Sequence, residues 1–246
     1  MRVVALIPAR YNSTRFPFKM LAKLGGKALI RQTYEMAVRF EIFDDVYVVT
    51  DNEKIFDEIT NNGGKALKSI REHETGTDRI AEAAEQISAD IIFNIQGDEP
   101  FLKAEPLKML IDSFQDETVD VATLMQRIDN PEDIENPNFV KLVKDLNNFV
   151  MYFSRSPIPY NRDGSNDCIY YQHIGVYAFR KDALLKFSKL PATPNELAEK
   201  IEPIRLLENG MKIKVFETKY IGIKIDTEEE LVQANNYLKL QDTKIP

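Results

Sequence analysis

Over the first hundred residues, short unbroken apolar runs alternate with amphipathic stretches, and that alternation predicts the fold class. Residues 3–7 form a continuous apolar run stopped by Pro8, the pattern of a strand buried on both faces of a parallel sheet. A polar loop fills the next dozen positions. Residues 27–40 then place Leu29, Ile30, Ala37 and Val38 at helical spacing, and the β-branched run at 46–49, ending at Thr50-Asp51, predicts a second strand. A helix over 54–60 closes at Gly63-Gly64 before a short strand at 65–67. Thr77 or Asp78 can cap a helix reaching about Ile87, and 90–95 is strand-like up to the turn Gln96-Gly97-Asp98. Such an order calls for a mostly parallel, doubly wound sheet with right-handed crossovers.

The second half changes character. Residues 119–128, 139–144, 149–154 and 170–179 all read as strands with few helices between them, which predicts a mixed sheet with an excursion able to pair with a second subunit. Residues 195–209 form a helix candidate ending at Gly210, 211–217 a strand, and 228–240 a terminal helix opened by Asp226 or Thr227. In open α/β sheets, ligands bind outside the carboxyl ends of the strands. Four polar clusters fall there: the loop after the first strand, Thr50-Asp51, Gln96-Gly97-Asp98 and Asp226.

Composition narrows the function. The chain has 246 residues and is 43% apolar, enough to bury the core of one large domain spanning 1–246. A formal charge of −7 argues against a nucleic-acid surface, which needs clustered Lys and Arg, and favours small-molecule chemistry. Cys168 is the single cysteine, so neither an intrachain disulfide nor a multi-thiolate metal site can form. Its ordinary role is a packed or loop thiol. The N-terminal segment is too short in apolar length for a signal h-region, and no run approaches the roughly 20 apolar residues that span a bilayer, so a cytoplasmic location without membrane association is expected.

Chemistry concentrates in the loop after the first strand. There IPARYNSTRFPFK supplies Arg10, Ser13, Thr14, Arg15 and Lys19. A nucleoside triphosphate asks for guanidinium forks, an ammonium and hydroxyl or amide donors in one concave loop, and this loop offers all three. It contains neither the dinucleotide-binding glycine pattern nor the P-loop pattern. The competing role is a solvated basic loop. Asp98 and Asp226 each follow a buried apolar run, and two hard carboxylates brought together would suit magnesium. Taken singly, each is a turn former or helix cap, a role Asp226 can fill because Thr227 begins a helix.

IPARYNSTRFPFK, TDNEKI, HETGTDRIAEA, NIQGDEPF, ENPNFVKLV, YFSRSPIPY, HIGVYAFR and IDTEEEL occur in that order. Together they resemble the 3-deoxy-manno-octulosonate cytidylyltransferase family over essentially the whole chain. The resemblance implies a three-layer, nucleotide-diphospho-sugar transferase-like α/β fold with a mixed, mostly parallel sheet and a small β-rich dimerisation excursion. It implies transfer of CMP from CTP to the octulosonic acid Kdo for lipopolysaccharide synthesis, with Mg2+ held by Asp98 and Asp226, in a homodimer. Arg10 and Lys19 would hold the triphosphate, Ser13 and Arg15 would close over it, and Ala9 would offer backbone to the cytosine. Gly76, Thr77, Arg79 and Gln96 would lie beside the nucleotide. Gln96, Arg155, His173 and Glu202 would face the sugar. Outside the resemblance, Asp78-Arg79 reads as a cap and a surface cation, and His173 as a packing residue.

Two departures bear on specificity. Phe18 and Met20 flank Lys19 where small residues are usual, making the loop bulkier. Pro203 replaces a sugar-facing glutamine and would kink a helix interior, unless the helix begins there. Glu202 and Arg205 could then be an exposed i,i+3 pair. The competing activities are transfer to another acceptor, such as 8-amino-Kdo, a sialic-type acid or a polyol phosphate, and glycosyl transfer from a finished nucleotide sugar. A non-catalytic nucleotide-binding relative is the remaining alternative.

Overall fold

A computed structural model of the chain describes residues 1–12, 16–73, 75–164, 167–219 and 224–242. The chain divides into two compact units, Met1–Ala104 with Ile221–Pro246, and Glu105–Tyr220. The single domain expected from the sequence would comprise both.

The first unit is built on β1 (Val3–Ala9), every residue of which is buried. After a 3-10 turn at Lys19–Leu21, the two-residue strands β2 (Lys23–Leu24) and β3 (Lys27–Ala28) make a small hairpin. Then follow α1 (Leu29–Arg39), β4 (Asp45–Thr50), α2 (Glu53–Thr60), β5 (Ala66–Lys68), α3 (Gly76–Glu85) and β6 (Ile91–Asn94). β1 pairs in parallel with β6 on one side and β4 on the other, and β4 pairs in parallel with β5. The apolar runs are continuous because β1 and β6 have no solvent face: β6 is buried at all four positions. α1 and α3 pack on β1 and β4, and α2 on β4 and β5. At the end of α2, a Cβ on Gly64 would meet Ile59 Cγ2 at 2.7 Å, so only glycine lets the chain turn back there.

The second unit contains α4 (Ala104–Ser113), β7 (Val121–Arg127), α5 (Pro131–Glu135), β8 (Lys141–Lys144), β9 (Val150–Ser154), β10 (Tyr171–Arg180), α6 (Lys181–Phe187), α7 (Pro194–Glu199), α8 (Ile204–Glu208) and β11 (Ile213–Glu217). β7 pairs antiparallel with β10 and parallel with β11, while β8 pairs antiparallel with both β9 and β10. The mixed sheet anticipated for this half is present, and the whole is an α/β fold.

The chain then returns to the first unit as α9 (Glu228–Asp242). Ile225 and Ala234 bury against Leu24 and Leu29, with Phe101, Leu231 and Leu238 packed around them. Asn235 accepts the Gly25 amide and donates to the Lys23 carbonyl, so the hairpin and the last helix brace each other.

Three local expectations are corrected. α3 is capped by Thr75 rather than Thr77 or Asp78: the Thr75 hydroxyl accepts the Asp78 amide, so the helix begins at Gly76 and ends at Glu85. The continuous helix over 195–209 is two helices, broken where Lys200 takes a left-handed φ of 54°. Pro203 therefore stands at the N-cap of α8, where a missing amide proton costs nothing. Arg205 is not part of an exposed pair with Glu202. It is buried, and its guanidinium grips Glu196.

Candidate active site

Lys19, Asp98 and Asp226 come from three distant parts of the sequence and meet in the first unit. The Lys19 ammonium donates to Asp98 Oδ2 at 2.7 Å and to Asp226 Oδ1 at 2.8 Å. The Lys19 and Asp98 side chains are only 7% and 9% exposed, so the clasp is nearly dry. Backbone fixes its geometry, because the Ile225 amide donates to the Asp98 carbonyl at 3.0 Å.

The role of Asp226 as a helix cap is removed by its neighbour. Thr227 Oγ1 accepts the Glu230 amide at 3.2 Å, and Glu230 Oε2 accepts the amides of Asp226 and Thr227. That capping box serves α9 without the Asp226 carboxylate, which is turned to Lys19 instead.

Charge in the cluster is finely arranged. Burial alone would raise the Asp226 carboxyl, but the hydrogen bond from Lys19 and the nearby Lys224 charge outweigh it and hold the group down to about 2. Lys224, half exposed, reaches Asp226 Oδ2 at 3.3 Å and Asp98 Oδ2 at 3.9 Å. For Lys224, burial is opposed by the charges of Asp98 and Asp226, and its ammonium is stabilised upward. Glu99 behaves in the opposite way, since burial and then the adjacent Asp98 charge push its carboxyl up to about 7. Asp98 Oδ1 is buried with no hydrogen-bond partner among the described residues.

Beside the clasp lies a cavity of about 340 Å³, lined by Arg10, Lys19, Gly76, Gln96 and Asp98 among others. Its walls are small where chain segments pass closely. A Cβ on Gly76 would stand 3.2 Å from Pro8 Cγ, and one on Gly97 would stand 2.9 Å from Met20 Sδ and 3.0 Å from Ile30 Cδ1. The bulky Met20 is thus accommodated by the absence of a side chain at Gly97. Phe18, with a left-handed φ of 58°, leaves the wall altogether and packs its exposed ring on Tyr11, centroids 4.6 Å apart. Ala9, the fully buried last residue of β1, is in register with Thr50. Thr77 and Gln96 are joined through Asn94, which donates to the Thr77 hydroxyl and accepts from the Gln96 amide.

A second cavity, of about 400 Å³, is lined by Arg10, Tyr11, Asp51, His73 and Arg79 among others. Arg79 is 2% exposed, not a surface cation. It donates through Nη2 to Asp51 at 2.8 Å, while its Nε and Nη1 are buried without partners among the described residues.

Ser13 and Arg15 lie outside the described residues. Arg155, His173 and Glu202 belong to the second unit. There Arg155 spends its guanidinium on the carbonyls of Pro137, Glu199 and Lys200, bracing the segment after β9. His173 packs edge-on to Phe153, centroids 5.1 Å apart, next to Tyr177 and 3.2 Å from the Thr123 hydroxyl. Burial drives its imidazole down to about 3, leaving it neutral. Glu202 stands between α7 and α8. One contributor, Lys224, has no place in the sequence reading, and Asp51, marked there only as part of a strand-end cluster, is the partner of Arg79. Lys224 had a signal: two residues before Asp226 in extended chain, it projects to the same side.

Arg10 and Lys19, a pair of converging aspartates and a cavity beside them on a parallel sheet define a nucleotidyltransferase-type site, and the sequence comparisons agree. The sequence model of a family described as cytidylyltransferase matches residues 4–213. The 3-deoxy-manno-octulosonate cytidylyltransferase of Flavobacterium johnsoniae is 53% identical over 97% of this chain and 99% of its own length. That of Fusobacterium nucleatum is 43% identical over the full length of both. A solved structure of CMP:2-keto-3-deoxy-manno-octonic acid synthetase complexed with CTP matches with a TM-score of 0.93 and 35% identity, covering 98% of this chain and 100% of that one. The chain belongs to the 3-deoxy-manno-octulosonate cytidylyltransferase family.

Proposed function

We propose that the protein transfers CMP from CTP to the anomeric C2 hydroxyl of 3-deoxy-manno-octulosonate and releases pyrophosphate, supplying activated sugar for lipopolysaccharide synthesis. The observation that carries this reading is the meeting of Asp98 and Asp226 on Lys19 at the wall of a cavity that also holds Arg10 and Gln96. The C2 oxygen forms a bond to the α-phosphorus as the bond from that phosphorus to the β-phosphate oxygen breaks, and the hydroxyl proton passes to solvent.

Mg2+ fits the residues present. It takes one or two carboxylates and completes its shell with phosphate and water, and here two carboxylates converge, one with a buried oxygen lacking a partner among the described residues. Asp98 and Asp226 would hold the ion, which when bound supplies charge neutralisation at the α-phosphate and acidifies the attacking hydroxyl. Arg10 and Lys19 stabilise the negative charge that builds on the leaving pyrophosphate, a positioned donor of this type contributing about 3–4 kcal/mol. Gln96, held by Asn94, orients its amide into the cavity wall.

The enzyme acts in the cytoplasm as a homodimer joined through its β-rich second half. No helix among the described residues is long and apolar enough to cross a membrane. Pro203 opens α8 rather than kinking it, so the helix itself is preserved at the position of the replaced glutamine.

Asp98→Asn should abolish pyrophosphate release from CTP and Kdo while the circular dichroism spectrum at assay temperature stays native-like; near-normal turnover would remove Asp98 from the mechanism. A parallel acceptor panel with Kdo, 8-amino-Kdo and a sialic acid fixes the sugar. Release of CMP with no pyrophosphate step would instead favour a glycosyltransferase.

A further inference from the structure

Lys19 has two demands on it, the aspartate pair and the cavity beside it. Its ammonium lies 2.7 and 2.8 Å from one oxygen of each aspartate. A divalent ion bridging those carboxylates would need oxygen contacts of about 2.0–2.1 Å in the same space. Two further positive charges there would also face the ammonium across a few ångströms, in a setting where Lys19 and Asp98 are nearly excluded from water. Lys224 adds a second cation on the solvent side, within 4 Å of both carboxylates. Without a nucleotide, then, the carboxylate pair is already charge-compensated from within the chain.

The way out is equally defined. Lys19 lines the 340 Å³ cavity together with Arg10, so the ammonium can reach an anion placed there by rotating its own side chain. We propose that Lys19 is an internal counter-ion that keeps the Asp98–Asp226 pair closed to divalent cations until a triphosphate in the adjacent cavity draws the ammonium away. Nucleotide and metal then bind with positive cooperativity, each strengthening the other by the same factor. The inference rests on the assignment of the ion to these two aspartates.

The test is binding of Mn2+ to nucleotide-free protein, followed by the electron paramagnetic resonance of the free ion. Lys19→Met should bind Mn2+ about tenfold or more tightly than the unsubstituted protein, because a charge in contact with the site has been removed. Lys224→Met, removing a half-exposed and screened charge, should gain less than about threefold. Adding Asp98→Asn to Lys19→Met should erase the gain. Equal affinity in Lys19→Met and the parent, with both affinities still lost in Asp98→Asn, overturns the counter-ion role and leaves the metal assignment standing. Binding insensitive to Asp98→Asn in every background overturns the assignment and the inference together.

The parent protein gives a second readout should Lys19→Met fail to fold. The 15N signal of the Lys19 ammonium, identified by its loss in Lys19→Arg, should shift on adding CTP in the presence of EDTA and stay in place on adding Mg2+ alone. An unchanged signal with CTP, or the same shift with Mg2+ alone, overturns the proposal.

Discussion

Replacing Glu196 by glutamine removes one charge from the second unit, and the surroundings of that charge determine the cost. Arg205 donates from Nε to Glu196 Oε2 at 2.8 Å and from Nη2 to Oε1 at 2.5 Å, and its Nη1 reaches the Leu190 carbonyl at 3.2 Å. The guanidinium lies over the Phe187 ring, 4.6 Å from its centroid, and both side chains are 9% exposed. Burial would raise the Glu196 carboxyl, but the paired hydrogen bonds from Arg205 and the Thr193 amide outweigh it and lower the group. Glutamine keeps an oxygen for the Thr193 amide, so the capping box of α7 survives and the loss isolates the ion pair. Leaving a buried cation without its partner costs about 3–5 kcal/mol. For a chain of this size that lowers the melting temperature by roughly 6–20 °C, at roughly 2–4 °C per kcal/mol. Urea unfolding monitored by circular dichroism, with the midpoint compared at constant slope, measures it directly. A loss below about 1 kcal/mol would show that the pair is screened like a surface bridge, and the reasoning from burial would fail. The double variant Glu196→Leu with Arg205→Met should recover most of the stability, because no unpaired charge then remains.

Two further outcomes follow from the described contacts. His173 is held neutral with its pKa depressed from 6.5 to about 3, so the unfolded chain binds a proton that the folded chain refuses between those values. The stabilisation is complete above pH 6.5 and is lost progressively as pH falls towards 3, by about 1.4 kcal/mol per unit at most; His173→Gln should flatten the pH dependence of the urea midpoint between pH 7.5 and 5, and an unchanged slope would refute the enclosed neutral ring. Gly97→Ala forces Met20 Sδ to retreat from a 2.9 Å contact beside Lys19. Since a methionine end is flexible, the fold should survive within about 1–2 kcal/mol, while CTP affinity by calorimetry falls; unaltered affinity would show that Met20 does not position the lysine.

The parts of the fold legible in the sequence are those whose burial leaves a one-dimensional trace. β1, β4 and β6 are short apolar runs because parallel strands in the interior have no polar face. The hairpin at 23–28 leaves no such trace, since strands of two residues carry no period, and α4 was not anticipated. The stop at Lys200 is a backbone choice at a residue that ordinarily continues a helix, so periodicity ran straight through it. At α3, Thr75, Thr77 and Asp78 all have capping side chains, and composition could not choose among them. In the site, the aspartates were visible as carboxylates following apolar runs, and the resemblance placed Lys19 beside the triphosphate. That the ammonium also bridges the two aspartates could not be read from any local pattern, because it depends on 224–226 being laid against Asp98 by tertiary structure.

The bond from the Ile225 amide to the Asp98 carbonyl has a reach beyond this molecule. Because that tether consists of peptide groups alone, it does not depend on the carboxylate of Asp98 or of Asp226. Descendants of this scaffold can therefore exchange an acid for another residue, and with it one chemistry for another, while the spacing between the two stations is preserved.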